Sequence, residues 1–373
     1  FHSMEKSPKL FPLRGKPAAP NRIGAGRRGG ERLEWSGMKA VIHFFSGTGN
    51  TARAVGIVAA RWQAAGHDVA TQVLSAATQP PREIPDLTVV AFPIWAWAAP
   101  HFVLDYARSL PKAAGARAAV LATCGGFGAQ GVGEVERVLR RRGYRVVASG
   151  EAVYPDNWLL AGAPPQGDAL AAALARGDEA ARAFAENGLS ASPARFHCAF
   201  VHRLWSRPIA WLFRRIGRRF MGKFFIADDR CTACGQCAAT CPARAIHLEG
   251  APPRPRWGAN CAGCYRCIQL CPAQAIQISI PLMAIHLGLN LALTAGWLVW
   301  FVRLLGRRVL PLPGPWGIGL ALLWAVALYA TLLLLQMTLV DGALQGLARR
   351  QALRGFFLRS YTKNFGRYRA PGF

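Results

Sequence analysis

The sequence predicts an α/β domain built on a doubly wound parallel sheet, a small cysteine-rich α+β domain, and a two-helix hairpin. Three observations predict it. Strand-like and helical runs alternate through the first half of the chain. Eight of the ten cysteines fall into a duplicated run. Two long stretches near the end carry no charge. At 373 residues the chain has room for two or three domains. With 52% hydrophobic and 17% charged residues it is too apolar for a disordered protein. Ten cysteines are too few for a disulfide scaffold of this length.

Residues 1–37 are rich in Gly, Pro and Arg, show no hydrophobic period, and begin with Phe. The plain reading is a disordered leader, one translated from upstream of the real start, and it receives no function. At Met38 the pattern turns to strand.

Residues 38–190 form the expected α/β domain. Buried-strand runs at 40–45, 68–74, 87–92, 118–123 and 144–153 alternate with helical stretches at 52–65, 100–110, 131–142 and 168–187. Five strands alternating with helices argue for a parallel sheet covered on both faces. Ligands of such sheets lie beyond the carboxyl ends of the strands. There the first strand runs into Ser46-Gly47-Thr48-Gly49-Asn50-Thr51. Its glycines let the backbone bend tightly, its hydroxyls and amide offer donors, and the following helix adds N–H groups and a dipole end. Without a lysine it is no nucleotide-triphosphatase loop, and a phosphomonoester fits it better. A ligand-free Ser/Gly turn is the plainer alternative.

The third strand ends in Pro93-Ile94-Trp95-Ala96-Trp97 and the fourth in Thr123-Cys124-Gly125-Gly126-Phe127. Aromatic side chains there can stack on a flat ring, or simply cover the sheet end. Residues 38–190 resemble a flavodoxin. The resemblance implies FMN, with its phosphate on residues 46–51 and its ring between the other two loops. The fourth-strand loop departs from that family's pattern in having Cys124 and two glycines in place of a tyrosine. Which aromatic faces the flavin stays open, and Cys124 reads as a packed residue.

Residues 226–280 carry the cysteines. Cys231, Cys234, Cys237 and Cys241 are spaced C-x2-C-x2-C-x3-C before Pro242, and Cys261, Cys264, Cys267 and Cys271 repeat this before Pro272. This is the run that holds [4Fe–4S] clusters, its fourth cysteine crossing to the other cluster. One cluster is thus expected on Cys231, Cys234, Cys237 and Cys271, and a second on Cys261, Cys264, Cys267 and Cys241. The matching Ala243-Arg244-Ala245-Ile246 and Ala273-Gln274-Ala275-Ile276 extend the repeat. Two such runs exceed what tetrahedral zinc needs. The segment resembles a bacterial-type ferredoxin with two clusters, and residues 38–280 together resemble ferredoxins with an N-terminal flavodoxin-like domain.

The net charge of +26 is placed unevenly. Residues 38–190 and 226–280 are nearly neutral. Residues 191–225 carry eight basic and no acidic residues, and residues 281–373 carry ten and one. Basic segments beside apolar runs point to anionic membrane lipid rather than nucleic acid. Within the uncharged stretches, 283–302 and 317–337 each reach the roughly 20 residues that cross a bilayer. Trp297, Trp300 and Trp316 read as interfacial anchors. Residues 191–225 read as a basic amphipathic linker. In it Ile209, Leu212, Phe213, Ile216 and Phe220 share one helical face, with Arg214, Arg215, Arg218 and Arg219 opposite, as in an in-plane interfacial helix. A solvated linker is the alternative. Residues 281–340 are then the membrane hairpin and 341–373 a basic tail. His286, in the first span, reads as an ordinary polar contact.

FMN exchanges one or two electrons and each cluster one, so the expected function is a membrane-anchored relay between them. The expected place is the cytoplasmic membrane, with the cofactor domains on the cytoplasmic side, serving a donor and an acceptor protein that the sequence does not identify. Neither a GxGxxG nor a Ser-His-Asp arrangement occurs, and no catalytic residue is assigned. One alternative is a flavin enzyme acting directly on a membrane substrate such as quinone. Another is a flavin-free redox scaffold that docks a membrane enzyme.

Overall fold

A computed structural model describes residues 37–190, 195–306 and 315–373. Nearly all of the leader, the start of the linker and most of the hairpin turn, with Arg307, Arg308 and the side chain of Trp316, lie outside the described residues.

Five parallel strands form the central sheet: β1 (Lys39–Phe44), β2 (Asp68–Val73), β3 (Leu87–Pro93), β4 (Arg117–Cys124) and β5 (Arg145–Val153), in the order β2-β1-β3-β4-β5. This is the flavodoxin-like order, which reverses between β1 and β3. The central strand β3 is buried on both sides, which explains its unbroken apolar run. Val89 faces α1 (Asn50–Ala64) and α4 (Gly167–Gly188), with Trp62 and Phe184 in that layer. Val90 faces α2 (His101–Ser109) and α3 (Gly131–Arg141), with Val103 and Val135 in the other. The α1–α4 layer is tied by a bidentate Arg53–Asp178 pair at 2.7 Å and by Trp62 Nε1 donating to the Ala185 carbonyl at 2.9 Å.

The linker is one continuous rod: α5 (Phe200–Leu212), a π-helical turn (Phe213–Gly217) and α6 (Arg218–Met221). Two of its four expected outward arginines are engaged inside the protein, whereas Arg215 stays exposed. Arg214 pairs with Glu134 of α3 at 2.9 Å, and Arg218 donates to the Cys261 carbonyl at 3.1 Å. Phe220 is core, whereas Leu212 is half exposed. The widened π turn shifts the register between the two halves, so one 3.6-residue wheel misplaces the arginines.

The cysteine-rich domain pairs β6 (Phe225–Ala227) with β9 (Ile276–Ile278) and β7 (Ile246–Glu249) with β8 (Arg254–Trp257), both antiparallel. The single turns α7 (Gln236–Ala239) and α8 (Arg266–Gln269) repeat the sequence duplication.

Two long apolar helices follow, α9 (Ile280–Gly306) and α10 (Pro315–Leu335). The most apolar windows within 280–303 and 322–349 have mean hydropathy 1.6 and 2.0, and only 11% and 22% of these windows are buried. They are long and apolar enough to cross a membrane and are not core helices. Trp297 is not an outward anchor: its indole donates to the Ala325 carbonyl at 2.9 Å, and Thr294 bonds Tyr329 at 2.8 Å, joining the two helices.

The expected basic tail is folded. After a second π turn (Gln336–Val340) come α11 (Asp341–Arg349) and α12 (Gln351–Phe357). The remaining segment runs back along both earlier domains. Ile280 donates to the Arg359 carbonyl at 2.9 Å, Tyr368 N–H to Gln269 Oε1 at 2.8 Å, and Ala370 N–H to the Thr48 carbonyl at 2.8 Å.

Candidate functional site

Every loop singled out at the carboxyl end of the sheet opens onto one cavity of about 690 Å³. Its wall includes Ser46, Gly47, Thr48, Asn50 and Thr51 after β1, residues 93–97 after β3, and residues 123–127 after β4. Gly49 is not part of this wall. It takes φ +106° as the residue before α1, and a Cβ there would stand 2.6 Å from that of Ala370. Only glycine accepts both demands.

Several polar groups expected to face a ligand also organise the loops. Asn50 Nδ2 donates to the Pro155 carbonyl at 3.0 Å, and its Oδ1 accepts from Tyr368. Thr51 and Thr123 share a 2.7 Å hydroxyl bond, Ser46 Oγ accepts from Gly49 N–H at 3.1 Å, and Thr48 Oγ1 accepts from Asn157. Hydroxyl protons of Ser46 and Thr48 remain to donate, beside the first N–H groups of α1. The donor set suits a phosphate monoester.

Two left-handed residues, Ala96 (φ 45°) and Trp97 (φ 59°), turn the third-strand loop back between Trp95 and Ala98. Strained backbone of this kind collects at ligand sites. The turn sets Trp97 edge-on against Trp205 of α5, ring centroids 4.8 Å apart. Cys124 is buried, and its thiol is pushed up to about 12 by burial and then by Glu151 nearby. It is a packed thiol, inert at neutral pH.

The rest of the wall lies outside the sequence expectation. Pro155–Trp158 after β5 completes the strand-end loops. Trp205, Ile209, Phe213 and Met221 of the linker rod roof the cavity, and Gly263, Cys264 and Tyr265 of the second cysteine run close its far side. Arg266 donates from that run to the carbonyls of Ser46 (2.8 Å) and Gly47 (3.0 Å). The linker face is legible as apolar in the sequence, where it reads as a lipid contact rather than a cavity wall. Nothing local marks Arg266, because its partners lie some 220 residues away in sequence.

The thiols sort into two sets. Cys231, Cys234, Cys237 and Cys271 line one small pocket. The Cys237 thiol is pushed up to about 11 by burial, then by Cys231, Cys271 and Cys234. In the other set Cys264 is pushed up to about 12 and Cys267 well above its usual range, by burial first and then by neighbours that include Cys261 and Cys241. Each fourth cysteine stands with the opposite run. Sulfur also accepts at matching places: Ala245 N–H to Cys241 at 3.3 Å and Ala275 N–H to Cys271 at 3.4 Å. Two converging sets of thiols, with N–H donors aimed at the sulfurs of Cys241 and Cys271, fit a cationic iron core.

Comparison with known proteins agrees on the cysteine-rich part: residues 224–247 match the 4Fe-4S binding domain family. No curated protein sequence matches the chain. Among solved structures, a flavodoxin of Streptococcus pneumonia TIGR4 is similar over 39% of this chain and 98% of its own, at 20% identity and a TM-score of 0.28. Oxidised flavodoxin 2 from Bacillus cereus is similar over 40% and 98%, at 19% identity and a TM-score of 0.28.

Proposed function

We propose that the chain is a membrane-anchored electron-transfer protein holding one FMN and two [4Fe–4S] clusters. When bound, the flavin exchanges electrons singly or in pairs and the clusters exchange them singly. The observation that carries the reading is the shared cavity: the phosphate-type loop and Cys264 line the same space. Ser46, Thr48 and the start of α1 would hold the phosphate. Trp95, Trp97 and Phe127 would bound the ring. Cys261, Cys264, Cys267 and Cys241 would hold the cluster beside it, and Cys231, Cys234, Cys237 and Cys271 the outer one.

That arrangement gives an order. Trp205, Ile209, Phe213 and Met221 roof the cavity and Tyr265 closes its far side, which would keep a partner protein from the flavin. Cys234 of the outer set is exposed. The relay then runs from flavin to inner cluster to outer cluster, or in reverse, with a partner protein docking at the outer set. The apolar hairpin anchors it in lipid, and exposed arginines such as Arg215 of the linker and Arg350 of the tail meet anionic headgroups.

Anaerobic purification, iron and sulfide analysis, and chromatography of the heat-released flavin test this reading. It expects one FMN and eight irons per chain. It also expects rapid electron exchange between them in a stopped-flow experiment. FAD, absence of flavin after reconstitution, or a flavin that never reduces the clusters would each defeat it.

A further inference from the structure

Between the hairpin and the cysteine-rich domain lies a polar group of side chains outside the flavin cavity and both thiol sets. Lys223, His286, Gln336 and Asp341 are all buried, none more than 4% exposed. Lys223 Nζ donates to Asp341 Oδ2 at 2.7 Å and to the Trp257 carbonyl at 3.3 Å. Gln336 Nε2 donates to the His286 carbonyl at 2.9 Å. His286 Nε2 stands 3.6 Å from Asp341 Oδ1. Both ring nitrogens of His286, Asp341 Oδ1 and Gln336 Oε1 have no hydrogen-bond partner. Phe220 and Phe224 border the imidazole, each ring centroid 6.3 Å away.

A structural ion pair accounts for Lys223 and Asp341 only. It leaves a buried histidine with two unpartnered nitrogens, one of them Nε2 at 3.6 Å from the unpartnered oxygen of a carboxylate, which is costly. One added proton would convert that pair into a charge-assisted hydrogen bond. The π turn at Gln336–Val340 leads directly into Asp341, and such turns concentrate at functional sites. Ionisable groups on apolar spans are functional by default.

The group also touches the redox machinery. Trp257 accepts from Lys223 through its carbonyl and donates through its indole to Cys267 Sγ at 3.4 Å. Gly222, beside Lys223, is packed so closely that a Cβ would lie 3.3 Å from Cys261 Sγ. The polar group is therefore one residue removed from two thiols of the inner set.

We infer that His286, braced by Asp341, is a redox-linked proton site of the inner cluster, an inference that rests on the relay reading. Cys241, Cys261, Cys264 and Cys267 would hold the cluster that takes up one electron from the reduced flavin. One proton passes from water to the His286 imidazole, forming an N–H bond and a hydrogen bond to Asp341. Both leave together on reoxidation, so the added charges cancel. In the oxidised chain Lys223 and Arg256, whose Nη2 is 3.9 Å from Asp341 Oδ2, oppose a further positive charge. Glu249 offsets part of Arg256, at 3.4 Å. The incoming electron reverses that balance. Arg256 is one-third exposed.

The test is potentiometric titration of the inner cluster's electron paramagnetic resonance signal, in the full chain in lipid nanodiscs, between pH 6 and 9. The wild-type midpoint potential is expected to fall as pH rises, and His286→Gln to lose most of that slope with iron and flavin content unchanged. A wild-type potential independent of pH overturns the inference without recourse to any variant, and so does a His286→Gln chain with the wild-type slope. A chain that assembles no clusters defeats the relay reading instead.

Discussion

Cys241 lies four positions from Cys237 in sequence, yet its thiol acts on Cys261, Cys264 and Cys267. Cys241→Ser is therefore expected to damage the inner cluster and spare the outer one. Spectra of the reduced variant check this, and loss of the outer signal alone would contradict the crossing. This pairing is legible in the sequence because spacing and proline position fix which thiols can converge. Glu151 is not legible there. Its carboxyl is buried beneath the fourth-strand loop, a Cβ on Gly128 would stand 2.5 Å from its Oε2, and that oxygen has no partner. Burial pushes the group up to about 7, against a bond from Gly128 N–H that lowers it. The folded chain then holds this proton more tightly than the unfolded one. Stability contributed by the protonated acid is full below about pH 4.3 and declines as pH rises to about 7, by up to about 3 kcal/mol. Glu151→Gln should flatten that decline in urea melts at pH 5 and pH 8. Equal slopes in both proteins would mean the carboxyl is already ionised at pH 5.

At the scale of elements, strands and helices of the α/β domain fall within two residues of their sequence expectation, because their apolar periods are uninterrupted. The linker and tail depart from theirs because their partners are distant. An apolar helix face looks the same whether it covers a ligand cavity or a lipid surface, and basic residues look solvated until their carbonyl acceptors are known. The last segment shows the consequence. Ala370 and Tyr368 bond Thr48 and Asn50, while Arg367 holds the carbonyls of Gln274 (3.3 Å) and Ile276 (3.0 Å). It straps the phosphate-type loop to β9. Tyr368→Phe removes one hydrogen bond, worth about 1 kcal/mol, so FMN affinity should drop about fivefold. Deleting residues 366–373 should weaken it further while leaving both clusters assembled. Fluorescence titration measures both. Unchanged affinity in the truncated chain would show that the loop holds its shape unaided.

For the whole molecule the tail also decides a question that charge leaves open. Arginines flank both ends of the hairpin: Arg303, Arg307 and Arg308 near its turn, and Arg349, Arg350 and Arg354 after its second helix. The charge bias across the two spans is therefore small, and the positive-inside rule does not select an orientation. The folded contacts are less evenly balanced. Hydrogen bonds from residues 359–370 reach β9, the second cysteine run and the loop after β1. A segment bonded to both domains lies on their side of any bilayer, so two crossings, or none, are the arrangements open to the chain. Exposed Leu291, Leu323 and Trp324 call for a lipid cover in either case, and spans of full bilayer length favour two. Free thiols favour the reducing cytoplasm for the domains. Reporter fusions at Gly314 and after Phe373 should then give an external signal at the first and a cytoplasmic one at the second. Cytoplasmic signals at both would mean that the hairpin lies in one leaflet. An external signal after Phe373 would contradict the tail contacts themselves, and with them the strap over the loop after β1.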